Sequence, residues 1–269
     1  MNLFSVTEIK AILEKYNTHP SKTMGQNFLI DKTALHKVIE AADIRGNDTV
    51  VEIGPGMGTL TLELAKKAKK VIAIEKDRAM VEMLQETLKT HTTVKIIQGD
   101  GLRYECNLKK YKVVANIPYY ITSPIIRKFL EAKYPPETMV LMVQKEVAQR
   151  ITASPPHMSI LAASVQFYAK AQIISYVSKG CFWPAPNVDS AIIKIVPHQD
   201  KPTIPTDDFF IVVKAGFSHP RKQLINNLSV SLKKNKKEVQ AWLSKNNINP
   251  LQRAETLNVQ DWINLTKSL

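Results

Sequence analysis

The sequence predicts an α/β protein whose seven-stranded, mostly parallel sheet is followed by a small C-terminal domain made only of helices. From residue 49 to residue 143, short apolar runs alternate with helical patterns, which is typical of parallel strands joined by helices. After a polar, proline-bearing linker at 198–205, only helical patterns remain. We therefore expect one domain at 1–197 and a second domain at 206–269.

The N-terminal part is predicted to contain two helices separated by a polar segment. Residues 7–16 have an amphipathic helical pattern with Thr7 as a candidate cap, and a second helical pattern begins at Asp31. The segment between them, 19–29, either packs its last apolar residues into the core or forms a lid over a ligand. In the second case Asn27 supplies a polar contact.

The first strand of the sheet is predicted at 49–53, and a glycine-rich turn follows it. Gly54 and Gly56 precede a helical pattern at 59–68, and this order of strand, turn and helix begins many nucleotide-binding units. The dinucleotide fingerprint is not met, because Thr59 stands at the position of its third glycine. The turn therefore indicates a ligand without a pyrophosphate.

Acidic side chains end the next two strands. Glu75 ends the predicted strand at 70–75, where it is placed to accept both ribose hydroxyls of an adenosine. Asp100 follows the strand at 94–97 and is placed to bind an adenine amino group. In the alternative, both acids only cap a helix or a turn.

The fourth strand, at 112–115, ends in Asn116, Pro118 and Tyr119. Proline fixes its own φ angle and keeps the residue before it extended, so the chain leaves the strand stiffly. Asn116 and the Pro118 carbonyl then offer two acceptors for an exocyclic amine, and Tyr119 offers a stacking face. Taken alone, the segment is also explained as a strand end with a proline turn.

The remaining strands are predicted at 138–143, 173–177 and 191–196. Helices are predicted at 123–132, with Ser123 as its cap, from about residue 145, and at 158–168. No helical pattern separates the last two strands, so we expect them to pair antiparallel at one edge. The loop between them presents Phe182 and Trp183, which either fill the core or form part of a base-binding wall.

Composition supports a folded protein with a polyanionic partner. Hydrophobic residues make up 44% of the chain, and 37 Lys and Arg residues against 24 Asp and Glu residues give a net charge of +13. A folded protein this basic usually binds nucleic acid, although the charge also serves solubility.

The C-terminal domain concentrates positive charge. Helices are predicted at about 206–216, 221–234, 235–246 and 259–267. Six cations and no acid lie between residues 221 and 237, and they include Arg221, Lys222, Lys233 and Lys234. A solvated helix face explains part of this charge, but we expect these four side chains to contact phosphates.

Several classes of protein are excluded by what the sequence lacks. The two cysteines form no C-x-x-C pair and the six histidines no H-x-x-x-H pair, so we expect no metal site. No apolar run approaches the roughly 18 residues that a membrane span needs, and the first residues do not resemble a signal peptide. We expect a cytoplasmic monomer without a membrane partner.

The acids, glycines and amide at the strand ends together describe one ligand. Ligands of open α/β sheets bind at the carboxyl ends of the strands, where Gly54, Gly56, Glu75, Asp100 and Asn116 all fall. They suit an adenosine with free ribose hydroxyls and a group without phosphate over the glycines. S-adenosylmethionine fits this description better than NAD or ATP, which predicts methyl transfer to an exocyclic nitrogen.

Short segments between residues 25 and 257 carry a family resemblance. They are Gly25-Gln26-Asn27-Phe28-Leu29, Glu52-Ile53-Gly54-Pro55-Gly56-Met57-Gly58, Gly99-Asp100-Gly101, Asn116-Ile117-Pro118-Tyr119, Gln144-Lys145-Glu146-Val147-Ala148, Pro184-Ala185-Pro186-Asn187-Val188-Asp189-Ser190-Ala191 and Arg253-Ala254-Glu255-Thr256-Leu257. With them the chain resembles the ribosomal RNA adenine dimethyltransferase family, and within it the bacterial small-subunit branch. Many methyltransferases share the glycine segment, whereas the whole set is specific.

The resemblance implies a class I methyltransferase (Rossmann-like) sheet that uses S-adenosylmethionine. It implies dimethylation at N6 of two adjacent adenosines in the 3′-terminal hairpin of 16S-type small-subunit rRNA, in an immature 30S-type particle late in assembly. Carried over by motif, the cofactor is bound by Asn27, Leu29, Gly54, Gly56, Glu75, Asp100 and Asn116. The adenine is held by Asn116, Pro118 and Tyr119 and flanked by Phe182. One departure is Pro220, which stands where the family commonly has an arginine.

Three other functions remain open from the sequence. The nearest is a large-subunit (23S) rRNA adenine N6-methyltransferase of the antibiotic-resistance type, although the Gly-Gln-Asn-Phe-Leu and Val-Asp-Ser-Ala segments favour the small-subunit type. A DNA adenine methyltransferase is disfavoured, because the short C-terminal domain leaves little room for reading a DNA sequence. A non-catalytic ribosome assembly factor is disfavoured because it has no need of Glu75, Asp100 and Asn116.

Overall fold

The computed structural model of the protein describes residues 2–200 and 203–269. Contacts divide these residues into two compact units, the first formed by residues 2–148 and 172–197 and the second by 149–171 and the described residues after 197. The predicted linker at 198–205 includes Lys201 and Pro202, which lie outside the described residues. The predicted domain boundary therefore differs from this division in residues 149–171.

Nine strands of the described chain form two sheets. In chain order they are β1 (Phe28–Leu29), β2 (Thr49–Ile53), β3 (Lys70–Glu75), β4 (Val94–Gln98), β5 (Lys112–Asn116), β6 (Thr138–Gln144), β7 (Ala169–Val177), β8 (Phe182–Trp183) and β9 (Ser190–Pro197). Seven of them form one sheet in the order β4-β3-β2-β5-β6-β9-β7. Strands β2 to β6 pair in parallel, and β9 runs antiparallel to β6. The predicted seven-stranded, mostly parallel sheet is confirmed, with the last two strands side by side at one edge.

The first unit begins with two helices and then alternates helices with strands. Its helices are α1 (Val6–Lys15), α2 (Lys32–Ala42), α3 (Thr59–Ala65), α4 (Arg78–Thr87), α5 (Thr122–Leu130) and α6 (Lys145–Ile151), the last of which crosses into the second unit. Side chains of α2 and α3 pack on apolar residues of β2, β3, β5 and β6, and this contact forms one core of the unit. Residues of the central strands are buried nearly throughout, as expected for parallel strands inside an α/β fold.

Two predicted helix caps are wrong. Ser5, and not Thr7, caps α1, because its side chain accepts the Glu8 N–H and the helix already includes Val6. Ser123 does not cap α5, because a 3-10 turn at Tyr119–Ile121 leads directly into the helix and places Ser123 inside its first turn. In both cases the helix begins earlier than the capping signal indicated.

A two-stranded sheet fixes the segment that follows α1. Strand β1 pairs antiparallel with β8, so that Phe28 lies opposite Trp183 and Leu29 opposite Phe182. The sequence predicted neither strand, although it marked all four residues as candidates for burial. This pairing holds residues 28–29 against the edge of the first unit where the strands of the main sheet end.

The second unit is helical around an aromatic core. Its helices are α7 (Ile160–Tyr168), α8 (Thr206–Gly216), α9 (Leu224–Ser231), α10 (Lys236–Lys245) and α11 (Val259–Lys267). Phe167 of α7 stacks on Phe209 of α8 with ring centroids 4.0 Å apart, which explains why residues 149–171 group with the C-terminal helices. Gly216 ends α8 against the buried Trp262 indole, where a Cβ atom would lie only 2.3 Å from the ring. Among residues 2–200 and 203–269, no helix is long and apolar enough to cross a bilayer.

Candidate active site

The carboxyl ends of β2, β3, β4 and β5 open into one pocket of the first unit. Nine of the ten residues predicted to bind the cofactor or the base line this pocket: Asn27, Leu29, Gly54, Gly56, Glu75, Asp100, Asn116, Pro118 and Tyr119. They come from the N-terminal segment and from the ends of four strands. The parallel register brings these strand ends to one edge, which is why residues far apart in the chain meet there.

The glycine turn brings backbone close to the pocket. Gly56 has a φ of +56°, which side chains rarely adopt, and a Cβ atom there would lie 3.2 Å from the Phe28 ring. Without a side chain, the Gly56 N–H reaches the Glu75 carboxylate at 3.0 Å. The turn therefore leaves a bare backbone wall beside a buried carboxylate.

Glu75, at the end of β3, is 6% exposed and held by backbone donors. Its Oε2 accepts the Gly56 N–H, and its Oε1 accepts the Asp77 N–H at 2.8 Å. Burial raises the pKa of the Glu75 carboxyl, and these backbone N–H groups oppose the rise. Since the two carboxylate oxygens have four lone pairs between them, and Gly56, Lys76 and Asp77 supply backbone donors, acceptor capacity remains for a ligand hydroxyl.

Asp100 supplies a second acceptor on the pocket wall. Its Oδ1 accepts the Leu102 N–H at 2.9 Å, and its Oδ2 lies 3.1 Å from Lys76 Nζ. The Leu102 N–H and the Lys76 ammonium lower the pKa of this carboxyl, so it is ionised at neutral pH. A charged acceptor at this place suits a ligand that carries an amino group.

The amide of Asn116 is oriented by the N-terminal segment. Asn116 Nδ2 donates to the backbone carbonyl of Asn27 at 3.2 Å. With the NH₂ group turned to that carbonyl, the Oδ1 atom accepts no hydrogen bond from a described residue and is available as an acceptor. Pro118 follows in an extended conformation, with φ −54° and ψ 132°, and its carbonyl keeps one lone pair after accepting the Ile121 N–H.

Tyr119 stands half-buried on the same wall, with its hydroxyl tied to the neighbouring strand. The Tyr119 and Ser190 hydroxyl oxygens lie 2.6 Å apart and share a hydrogen bond. Burial raises the pKa of the Tyr119 phenol above its ordinary value, so the phenol stays protonated at neutral pH. The ring is therefore a neutral, anchored surface.

Phe182 lies outside this constellation. It does not line the pocket, and at 3% exposure it packs in the core with Leu29, its partner across the β1–β8 pair. Phe182 therefore packs against the N-terminal segment, and its position does not support the predicted contact with a base. The neighbouring Trp183 is half-buried and packs against a small core cluster that includes Met57.

The four predicted phosphate-binding cations all lie exposed on the second unit: Arg221, Lys222, Lys233 and Lys234. The loop that carries the first two is braced by Asn227, which is 1% exposed. Asn227 Nδ2 donates to the backbone carbonyls of Gly216 at 2.7 Å and His219 at 3.0 Å. The loop is therefore anchored from beneath while its cations face solvent.

Glu52 is a pocket residue that the sequence analysis did not assign to the site. It lies in β2, is 1% exposed, and its Oε2 has no hydrogen-bond partner among the described residues. Burial raises the pKa of Glu52 to about 8; nearby Thr61 lowers it and the Glu75 charge raises it further. Its signal in the sequence was an acid two residues before Gly54, inside an otherwise apolar strand.

Replacing Glu52 with glutamine is expected to stabilise the protein increasingly between about pH 4.5 and about pH 8. The folded protein keeps this proton up to a pKa of about 8, whereas the unfolded chain loses it near the ordinary value of 4.5. The stabilising contribution of this proton is therefore complete below the lower pKa. It falls between the two pKa values, by up to about 1.4 kcal/mol per pH unit, and is lost above the upper one. Glutamine has no proton to lose, so the difference in unfolding free energy should grow and then level off.

Urea unfolding of both proteins at about pH 5, 7 and 8.5 measures this difference. The exposed Glu105→Gln change in the same unit is the matched control. A Glu52→Gln effect of equal size at all three pH values would show that Glu52 is already ionised in the folded protein.

The fold and the pocket together define a class I methyltransferase domain: a seven-stranded sheet with a glycine turn and acidic strand ends around one pocket. Residues 17–269 match the family described as ribosomal RNA adenine dimethylase. The chain belongs to this family.

Three bacterial relatives are named ribosomal RNA small subunit methyltransferase A. The one from Dehalococcoides mccartyi strain CBDB1 is 42% identical and the alignment covers 96% of this chain and 91% of the relative. The one from Geobacillus kaustophilus is 41% identical, with 97% and 94% covered. The one from Alkaliphilus metalliredigens is 41% identical, with 99% and 98% covered.

Two solved structures share the architecture. The 23S rRNA methyltransferase ErmE has a TM-score of 0.76 and 28% identity, with 90% of this chain and 99% of that chain covered. A dimethyladenosine transferase from Plasmodium falciparum has a TM-score of 0.77 and 28% identity, with 87% and 94% covered. The architecture is therefore shared with both a 23S rRNA methyltransferase and a dimethyladenosine transferase.

Proposed function

We propose that the protein dimethylates N6 of two adjacent adenosines in the 3′-terminal hairpin of small-subunit rRNA, with S-adenosylmethionine as the methyl donor. The observation that carries this proposal is the Asn116 amide, whose Nδ2 is held by the Asn27 carbonyl so that Oδ1 is available as an acceptor in the pocket. The choice of small-subunit RNA is supported by relatives of that name at 41–42% identity.

The pocket fits the proposed cofactor. Glu75 would accept the ribose hydroxyls on the lone pairs that its backbone donors leave, and the ionised Asp100 would accept from the adenine amino group. The bare Gly54–Gly56 turn, together with Asn27 and Leu29 of the same pocket, would hold the remainder. When bound, S-adenosylmethionine supplies a methyl group on a sulfonium, which is already a good leaving group.

The protein's own contribution is to place the target nitrogen. Asn116 Oδ1 and the Pro118 carbonyl would accept the two N–H groups of an adenine N6, which aims the nitrogen lone pair at the donor. Tyr119 would stack on the base, a contact worth about 1–3 kcal/mol. Positioning of this kind is a large source of rate enhancement. The newly methylated nitrogen carries a positive charge and releases one N–H proton to solvent, so no strong base is needed.

The target base must leave its stack to reach this pocket, at a cost of a few kcal/mol. The exposed cations of the second unit are suited to hold the surrounding RNA by its phosphates. In this proposal the protein works as a cytoplasmic monomer on an immature small subunit late in assembly. The relatives' names support rRNA as the substrate, and the charge distribution supports a phosphate-rich partner.

Changing Arg221 and Lys222 together to alanine is expected to flatten the salt dependence of RNA affinity. Each phosphate contact releases counterions, so the slope of log affinity against log salt should become less steep by about 1 to 2. Filter binding to immature small subunits across a salt series measures the slope. The control is a double change to alanine at Lys109 and Lys110, two consecutive exposed lysines of the first unit. Equal slopes for the two double variants would mean that the loop cations face only solvent.

Mass spectrometry of nucleosides tests the function itself. Immature small subunits and large-subunit RNA are incubated separately with the protein and S-adenosylmethionine, and the modified nucleosides are then mapped. Dimethyladenosine in the small-subunit hairpin is the expected result. Product on large-subunit RNA would indicate the 23S type of enzyme, and no product on either RNA would indicate an assembly factor that only binds.

A further inference from the structure

The hydrogen bond between Tyr119 and Ser190 ties the proposed stacking residue to a different strand of the sheet. We infer that Ser190 is a positioning residue for the target base, which acts by holding the Tyr119 ring at the angle that stacking requires. This inference rests on the proposed function and adds a residue to it. It also explains why a tyrosine, and not a phenylalanine, stands at position 119.

Ser190 is a rigid anchor because its backbone lies in the sheet. It is fully buried, it begins β9, and it lies opposite Gln144 in the antiparallel pair of β9 with β6. Strand β6 in turn pairs with β5, which ends at Asn116. Asn116 and Ser190 therefore flank the same edge of the sheet from either side of β6.

The residue before Ser190 fixes the anchor further. The backbone carbonyl of Asp189 accepts the N–H of Lys145, the first residue of α6, at 3.0 Å. The side-chain Oδ1 of Asp189 accepts the Lys179 N–H at 3.0 Å. Three separate backbone segments thus meet at Asp189 and Ser190. The serine hydroxyl has little room to shift, so the phenol bound to it has little room either.

Tyr119 needs such an anchor because it is not fully enclosed by the protein. It lies in a short 3-10 turn and is only half-buried. Without the bond at its tip, the ring would be free to swing about its χ1 torsion. The Asn116 amide would remain in place, since it is held by Asn27 and not by Tyr119. Loss of the Ser190 hydroxyl should therefore loosen the base without removing its acceptors.

The second methyl addition should depend on this anchor more than the first. An unmodified adenine offers two N–H groups to Asn116 and Pro118, whereas a monomethylated one offers a single N–H group. Stacking on Tyr119 then carries a larger share of the positioning. A loosened ring should therefore increase the fraction of product that stops at monomethyladenosine.

The test compares Ser190→Ala, Tyr119→Phe and the double variant by the rate of methyl transfer to immature small subunits and by the ratio of monomethyl to dimethyl product. Each single change should lower kcat about 3- to 10-fold, as expected for one hydrogen bond, and raise the monomethyl share. The double variant should be no slower than Tyr119→Phe alone, because both changes break the same bond. Affinity for S-adenosylmethionine should stay as in the unaltered protein.

Ser164→Ala is the matched control, since it removes a serine hydroxyl bond of 2.7 Å within the second unit, whereas the pocket strands belong to the first. Thermal unfolding of each variant identifies any loss of folded protein, and Tyr119→Phe breaks the bond without touching the buried strand. A normal rate and product ratio in folded Ser190→Ala, or effects that multiply in the double variant, would overturn the inference alone. If the unaltered protein makes no dimethyladenosine, the proposed function falls and this inference with it.

Discussion

Replacing Asn116 with alanine is expected to lower the rate of methyl transfer by at least about 100-fold. Alanine removes the Oδ1 acceptor that aims the target nitrogen, and it leaves the Asn27 carbonyl without its Nδ2 donor. Affinity for immature small subunits should change little, because the exposed cations of the second unit are proposed to supply that binding. Transfer of labelled methyl groups, measured beside filter binding, separates the two effects.

The exposed Asn107→Ala change is the control for Asn116→Ala, because Asn107 lies in the first unit but does not line the pocket. Asn116→Asp is informative as well, since a carboxylate cannot donate to the Asn27 carbonyl and would face it with a negative charge. It should also be slow, although it keeps an acceptor. Rapid transfer by Asn116→Ala would remove the amide from the mechanism and leave Pro118 and Tyr119 as the base-holding groups.

Changing Glu75 to glutamine is expected to weaken S-adenosylmethionine binding by about 100-fold. Both carboxylate oxygens already accept backbone N–H groups, from Gly56 and Asp77. A glutamine must turn its NH₂ group toward one of these donors, so it loses a hydrogen bond of the protein and one acceptor for the ribose. Hydrogen bonds to charged groups contribute about 1.5–3 kcal/mol each, which gives the expected size.

Isothermal titration calorimetry measures this affinity, and urea unfolding shows how much of the loss is folding. Glu82→Gln is the control. Glu82 lies in α4, the helix that follows β3; it is exposed, and its side chain accepts a hydrogen bond from Arg78. Affinity within twofold of the unaltered protein for a folded Glu75→Gln variant would mean that the ribose is held elsewhere.

The sheet and most of the pocket were predictable from the sequence for a physical reason. Parallel strands inside an α/β fold are apolar along their whole length, and their carboxyl ends must meet at one edge. Once β2 to β5 are recognised, Gly54, Glu75, Asp100 and Asn116 are brought together by topology alone. The structure confirms the strands and places these four residues around one pocket.

Contacts between distant segments were not predictable, because they leave no periodic pattern. The two residues of β1 pair with β8, from which most of the sequence of the first unit separates them. Nothing near Phe28 in the sequence indicates this pairing. The tie between Tyr119 and Ser190 is equally distant. The burial of Phe182 follows from the β1–β8 pair, so its absence from the pocket could not be foreseen either.

The grouping of residues 149–171 with the C-terminal helices illustrates a different limit. Helix α7 has an apolar pattern that suits either unit, and only the partners of Phe167 decide which one it joins. The start of α5 was missed because a 3-10 turn at Tyr119–Ile121 runs directly into the helix, so Ser123 lies inside its first turn. The start of α1 was missed because Ser5, two residues before Thr7, caps it.

The pairing of β1 with β8 also sets when the pocket is completed during translation. Residues 25–29 leave the ribosome early, but their partner strand and the anchor of Tyr119 are made near the end of the first unit. A nascent chain that ends before β8 already carries the glycines and carboxylates of the pocket, yet Phe28 and Leu29 have no strand to join. Since chains fold from the N-terminus as they emerge, the cofactor site is among the last parts of this unit to be finished.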